Sequence, residues 1–334
     1  MLKYKLQVLF FLVLGWLLLF IPNAFAGDTI KGIYITQSSL ENTKYINYLI
    51  KNAKAAGIDT FVIDLEKPST RYKNNIALVK DNHIRYVARV IIFPDGGSPY
   101  AIKDSEFWQR KYTLVKQAID WGADEIQLDY IRYNTKQKPS AENAKNINTI
   151  IQWYKNKLSG QNIPLQVDVF GIASFGDSKH IGQNIQLFSQ NVDAICPMVY
   201  PSHYEPFAYH YKIPFETVYD SLSRIKKQFN NEMPIKMYPY IELSNYHYPR
   251  MSHQQKLVYI KEQLRAVEKA QADGWFAWSP HNKYENLFYV LQHRDDDQSK
   301  PADQPAKQID QTANNQNASV PSSTSASTSV TTTE

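Results

Sequence analysis

The chain has 334 residues, 43% of them hydrophobic, with 37 lysines and arginines against 32 acidic side chains. Such a length supplies one large core or two medium ones, since single barrel domains often run to about 250 residues. The near balance of charge excludes a protein that grips nucleic acid by neutralising phosphates, and a single cysteine, Cys196, excludes a disulfide framework within the chain. Cys196 sits in the apolar run "DAICPMVY", where a buried inert thiol is expected.

The N-terminus carries Lys3 and Lys5, then "VLFFLVLGWLLLFI", then "PNAFA". Ala24-Phe25-Ala26 fits a small-x-small cleavage site, so residues 1–26 are expected to be a signal peptide cut after Ala26. The alternative is an uncleaved signal acting as a membrane anchor, but the apolar run, about 15 residues, falls short of the roughly 20 a spanning helix needs. Cleavage removes two lysines and no acid, leaving 35 basic and 32 acidic side chains, a net charge of +3. A secreted or periplasmic location follows, with no integral span after cleavage.

From there short β-rich runs alternate with helical patterns. The predicted strands are 30–36, 60–66, 86–93, 125–131, 165–171, 194–200, 235–241 and 275–279. The predicted helices are 43–56, 105–121, 140–158, 180–190, 214–229 and 252–272, with a weaker helical pattern in 67–84. In the last helix Leu257, Ile260, Leu264 and Val267 recur at helical intervals before Gly274. Eight β/α units in about 265 residues match a (β/α)8 TIM barrel, an α/β fold with a parallel sheet. A doubly wound sheet is the fallback, yet the first turn, "YITQSSLENT", has no GxGxxG. Residues 27–293 thus form one barrel domain. The remainder, 294–334, is polar, rich in Ser and Thr, and expected to be a disordered tail.

In such a barrel, function gathers where the strands end. The second predicted strand runs out in Asp64-Leu65-Glu66, the fourth in Asp129-Tyr130-Ile131-Arg132-Tyr133 and the fifth in Asp168-Val169-Phe170-Gly171, and the seventh leads into Glu242. Strand four reads Gln127-Leu128-Asp129 and strand five Gln166-Val167-Asp168, and side chains two apart share a face. Neighbouring strands therefore each aim a glutamine and then a carboxylate inward. A lone inward aspartate is more often a structural acceptor, whereas two at one level suit glycosidic cleavage. There one carboxylic acid protonates the leaving oxygen, and the other carboxylate attacks the anomeric carbon or activates water. Like-charge repulsion raises one of the two pKa values and supplies the acid. Tyr130, Tyr133, Tyr200, Tyr204, Trp278 and Tyr284 are placed at the rim, where aromatic rings stack on sugars.

Histidines 203, 210, 247, 253 and 281 form no HExxH and no paired-cysteine spacing, so no metal is expected. The segment "GIASFG" does not supply a GxSxG nucleophile elbow. No cofactor is expected either.

The runs "DEIQLDYIRYN" (124–134), "DVFG" (168–171), "HIGQN" (180–184), "DAICPMVYPSHY" (193–204), "PYIE" (239–242) and "GWFAWSPHNKY" (274–284) together resemble the bacterial family described as "Putative glycosyl hydrolase domain". The resemblance runs from about Lys31 to Leu291 and implies a (β/α)8 barrel distantly similar to alpha-amylase-like hydrolases. It implies that Asp129 and Asp168 are the site carboxylates, with Asp64 a third. Two residues depart from the family pattern: Glu242 stands where glutamine is usual, and Asn134 where proline is usual. Glu242 is carried forward as a further candidate catalytic residue. Asp64, Tyr130, Arg132, Tyr200, His203, Tyr204, Trp278 and His281 are the candidate substrate-binding residues, with Arg132 expected to position Asp129 or bind an anionic sugar group. The expected function is a secreted, monomeric glycoside hydrolase acting on a polysaccharide or oligosaccharide. The alternative is a catalytically inactive carbohydrate-binding barrel, a cell-envelope adaptor.

Overall fold

A computed structural model describes residues 29–247 and 250–294. The proposed signal peptide and polar tail lie outside the described residues. Among those described, no helix is long and apolar enough to cross a membrane.

Nine strands, β1 (Ile30–Ile35), β2 (Thr60–Asp64), β3 (Arg85–Ile91), β4 (Glu125–Asp129), β5 (Leu165–Phe170), β6 (Ala194–Met198), β7 (Lys236–Met237), β8 (Tyr240–Glu242) and β9 (Gly274–Trp278), pair in parallel. The order β5-β4-β3-β2-β1-β9-β8-β6 closes through β5–β6 into a barrel. β7 and β8 are two pieces of one stave. The single strand predicted at 235–241 is split around Pro239, which has no N–H to donate to the ladder. Both pieces pair with β6, at Ala194↔Lys236 and Met198↔Tyr240.

The helices fall close to the predicted patterns, and side chains that accept backbone N–H bonds fix where they start. Asn42, Ser69, Asp104 and Ser140 cap the helices Thr43–Ala55, Thr70–Asp81, Ser105–Asp120 and Ala141–Leu158. Ser252 and Gln255 form a reciprocal capping box at the start of His253–Lys269. The expected helix at 180–190 shrinks to Ile185–Phe188. Gly182 adopts φ +69° there, and a Cβ on it would lie 2.7 Å from the Asn143 carbonyl oxygen. Just after it, buried Gln183 accepts the Phe170 N–H at 2.8 Å, so this segment braces the end of β5 instead of winding.

Strand alternation sorts the core into two shells. Outward residues such as Ile33, Phe61, Val90, Leu128 and Val167 pack against the helices, each buried side chain contributing about 1.5–3 kcal/mol. Inward residues, among them Tyr34, Val62, Val87, Tyr240 and Phe276, fill the barrel. The interior also holds a chain of paired polar groups. Arg85 bonds Glu125 at 2.8 Å, Glu125 accepts from Gln166 at 2.5 Å, Gln166 accepts from Gln127 at 2.9 Å, and Tyr240 donates to Gln127 at 2.8 Å. Pairing each buried group this way removes the cost of its desolvation. Gln127 and Gln166 are register partners, so the two inward glutamines lie level.

Candidate active site

One step above those glutamines, Asp129 ends β4 and Asp168 lies two residues before the end of β5, both near the barrel mouth. Both are buried, and both line a cleft of about 970 Å³. Between them stands Arg89 from β3, whose register partners are Asp64 on β2 and Gln127 on β4. Its guanidinium bonds Asp64 through Nη1 and Asp129 through Nη2, and reaches Asp168 through Nε at 3.4 Å. The Arg89 guanidinium also lies 5.2 Å from the centre of the Tyr34 ring, and the Tyr34 hydroxyl donates to Asp64 at 2.5 Å.

Asp129 is held from a second direction. Tyr130 has φ +52°, a left-handed backbone uncommon for a bulky residue, and its N–H turns back to Asp129 Oδ1 at 2.5 Å. Such local strain costs about 1–3 kcal/mol and is tolerated where the surroundings fix it. Asp168 is held less completely: its Oδ1 is buried with no hydrogen-bond partner.

The charges do not cancel, since three carboxylates share one guanidinium. Burial, and next the Asp129 charge, push the Asp168 carboxyl well above the usual aspartate range, against the pull of Arg89. Burial opposes the charge on Arg89, but Asp129, Asp64 and Asp168 more than offset it, so the guanidinium is held above its ordinary value. Burial and the adjacent carboxylates likewise raise Tyr34, Tyr200 and Tyr240, which remain neutral phenols. The cleft floor thus sets Asp168, whose surroundings favour its protonated form more than an ordinary aspartate's do, beside Asp129, which is bonded as an acceptor.

Aromatic rings wall one side. Tyr200 stacks on Trp278 with centroids 5.1 Å apart, His203 packs beside both, and Tyr246 meets Trp278 edge-on. Tyr130, Tyr200, His203, Tyr204 and Trp278 all line the cleft. The Tyr204 hydroxyl is 2.9 Å from Ser221 Oγ, and burial pushes its pKa up to about 12.

Several expected placements differ, and Asp64 is one of them: it is buried, bonded to Tyr34 and Arg89, and does not line the cleft. Arg132 does not bond Asp129: its guanidinium stacks on the Tyr130 and Phe170 rings and donates to the Tyr133 carbonyl at 2.9 Å, bracing the loops after β3 and β4. His281 is exposed and does not line the cleft. Neighbouring Asn282 is the buried residue of that motif, donating to the Tyr34 carbonyl. Tyr133 and Tyr284 are buried rather than at the rim, their hydroxyls bonded to Asn146 and the Tyr34 carbonyl.

Glu242 is fully buried and does not line the cleft. It accepts from the Ser202 N–H at 2.7 Å, the Ser202 hydroxyl at 2.8 Å and Tyr259 at 2.6 Å, with His203 Nδ1 3.6 Å away. Gln263 bonds both its N–H and its carbonyl. With both oxygens engaged it serves as a knot between β8, the loop after β6 and the helix His253–Lys269, and it sits behind the cleft-lining His203 and Trp278. Glu242→Ala strands three donors, so the variant is expected to lose about 3–5 kcal/mol, the cost of breaking a buried charged network. Thermal denaturation checks this.

Sequence reasoning missed Arg89 and Tyr34. Arg89 had a signal, a single cation within the apolar strand "YVARVIIF", which is stable there only if carboxylates meet it.

Residues 98–284, more than half of the chain, match the family model described as "Putative glycosyl hydrolase domain", and the chain belongs to that family. The match spans β4 to β9 and begins after β3, short of the Lys31 start that the motifs implied. Among solved structures, the chain is similar to the Bacillus cereus spore cortex-lytic enzyme SleL, at 13% identity and TM-score 0.58, over 79% of this chain and 73% of that one. It is also similar to a class V chitinase from Pseudomonas fluorescens Pf-5, at 12% identity and TM-score 0.57, over 79% and 98% of the two chains. A third likeness is to catalytic domain 2 of the Ostrinia furnacalis group II chitinase, at 11% identity and TM-score 0.55, over 80% and 96%. These likenesses establish a shared barrel fold. No curated protein matches the chain in sequence.

Proposed function

We propose that the protein is a secreted, monomeric glycoside hydrolase that cleaves a polysaccharide, its barrel spanning 27–293 and its export directed by residues 1–26. The observation that carries this reading is the carboxylate pair on the cleft floor, in which Asp168 presents an unpartnered Oδ1 beside an Arg89-bound Asp129. Asp168 donates its proton to the glycosidic oxygen as the bond breaks. Asp129 attacks the anomeric carbon or takes a proton from the attacking water. Arg89 bonds and orients Asp129 and, 3.4 Å from Asp168, stabilises the carboxylate that remains once the proton has left. Tyr200 and Trp278 offer faces on which sugar rings stack.

A second reading rests on the same arginine: a guanidinium engaged by three carboxylates also suits a glycan-binding barrel without turnover. The two separate on incubating the purified protein with cell-wall and exopolysaccharide substrates. Hydrolysis predicts new reducing ends that vanish in Asp129→Asn, whereas binding without reducing ends on any glycan sinks the enzyme reading.

A further inference from the structure

The cleft continues past the aspartates to an outer arm between the loops after β5 and β6 and the helix Pro214–Lys227. Resting on the glycan reading above, we infer that this arm binds sugars bearing protonated amines, so that the substrate is a glycan with free amino groups.

Charge is the first observation. Besides the Asp168 acid, the cleft lining holds four carboxylates, those of Asp129, Glu205, Glu216 and Asp220, against the guanidiniums of Arg89 and Arg224, and it holds no lysine. The chain as a whole carries more basic than acidic side chains. Glu205, Glu216 and Asp220 are exposed, and among the described residues none has an ion-pair partner. Glu216 and Asp220 lie one helical turn apart on the same face, a like-charge pair that destabilises its own helix. Arg224, one turn further on, is placed to neutralise Asp220. Instead its guanidinium packs over the Phe175 ring at 4.9 Å. His210 adds no cation at neutral pH, because burial holds it below the ordinary imidazole value.

The second observation is independent of the acidic residues on the rim. Ile172, Phe175 and Tyr209 leave 55%, 56% and 58% of their surface exposed, and all three line this cleft. The exposed Tyr209 ring beside unpaired carboxylates suits an amino sugar: the sugar ring stacks, its ammonium group is drawn both to the carboxylates and to the aromatic quadrupole, and Ile172 and Phe175 add apolar surface. At the inner end of the same cleft, the buried Asp168 Oδ1 still lacks a partner. A glycan bearing uronates or phosphates would meet net repulsion along this path, and a fully N-acetylated one would leave the carboxylates unanswered.

The test is calorimetric titration of the full chain carrying Asp168→Asn, which stops turnover, with glucosamine and N-acetylglucosamine oligomers of equal length. At low salt the free-amine oligomer is expected to bind about tenfold more tightly. The added double change Glu216→Gln, Asp220→Asn is expected to remove most of that preference while leaving the N-acetylated affinity unchanged, and high salt should erode it as well. These side chains are exposed, so folding, checked by circular dichroism, should persist. Equal affinities, a preference for the N-acetylated oligomer, or a preference that survives the double change overturns this inference alone. Binding of neither oligomer by a folded protein overturns it together with the amino-sugar form of the glycan reading, which the reducing-end assay on other polysaccharides tests separately.

Discussion

Asp168→Asn is expected to fold and to lose about 10²–10⁴-fold in turnover, the range attributed to a positioned general acid. The amide matches the carboxyl in shape and removes the proton to be donated. Its pH behaviour makes the result specific. Burial and Asp129 raise Asp168 in the folded protein above its unfolded value, so its contribution to stability is complete below the ordinary aspartate range and is lost as pH rises through the raised value. Asp168→Asn should therefore flatten the alkaline side of the stability curve, while in the wild type the rate should fall on that side as the acid deprotonates. Initial rates of reducing-end release and urea midpoints across pH measure both. Full activity in the variant would end the assignment of Asp168 as acid.

Arg89→Leu is expected to cost stability as heavily as Glu242→Ala. The change removes the cation that meets Asp64, Asp129 and Asp168 and leaves buried carboxylates facing one another. Breaking a buried pair by deleting one partner costs roughly 3–5 kcal/mol. The sign with pH follows from the same charges. Without the guanidinium the folded-state carboxylates favour protonation, so the variant's deficit is greatest at neutral pH and shrinks as acid neutralises them. Urea midpoints in neutral and mildly acid buffer check this, and a deficit that grows on acidification would contradict it. Activity should fall as well, because Asp129 would lose the guanidinium that holds it in place.

The barrel was legible because its signal is periodic. Eight apolar runs, separated by seven helical patterns, leave few alternatives, and the repeated glutamine-then-aspartate puts two carboxylates level on neighbouring strands. What escaped depended on partners remote in sequence. Arg89 meets aspartates 25, 40 and 79 residues away, and no local pattern says which carboxylates will surround it. Glu242 looked like a third site carboxylate because it ends a stave. Its role is set by Ser202, 40 residues before it, and Tyr259, 17 after it. Arg132 misled in the opposite way: three residues from Asp129, it is turned aside because Tyr130 reverses the backbone between them.

The filled interior has a consequence for traffic. With Gln127, Gln166, Tyr238, Tyr240 and Phe276 packed across the barrel below the aspartates, there is no passage through its axis. A polymer that reaches the carboxylates therefore enters and leaves by the mouth of the barrel, the side on which the cleft opens.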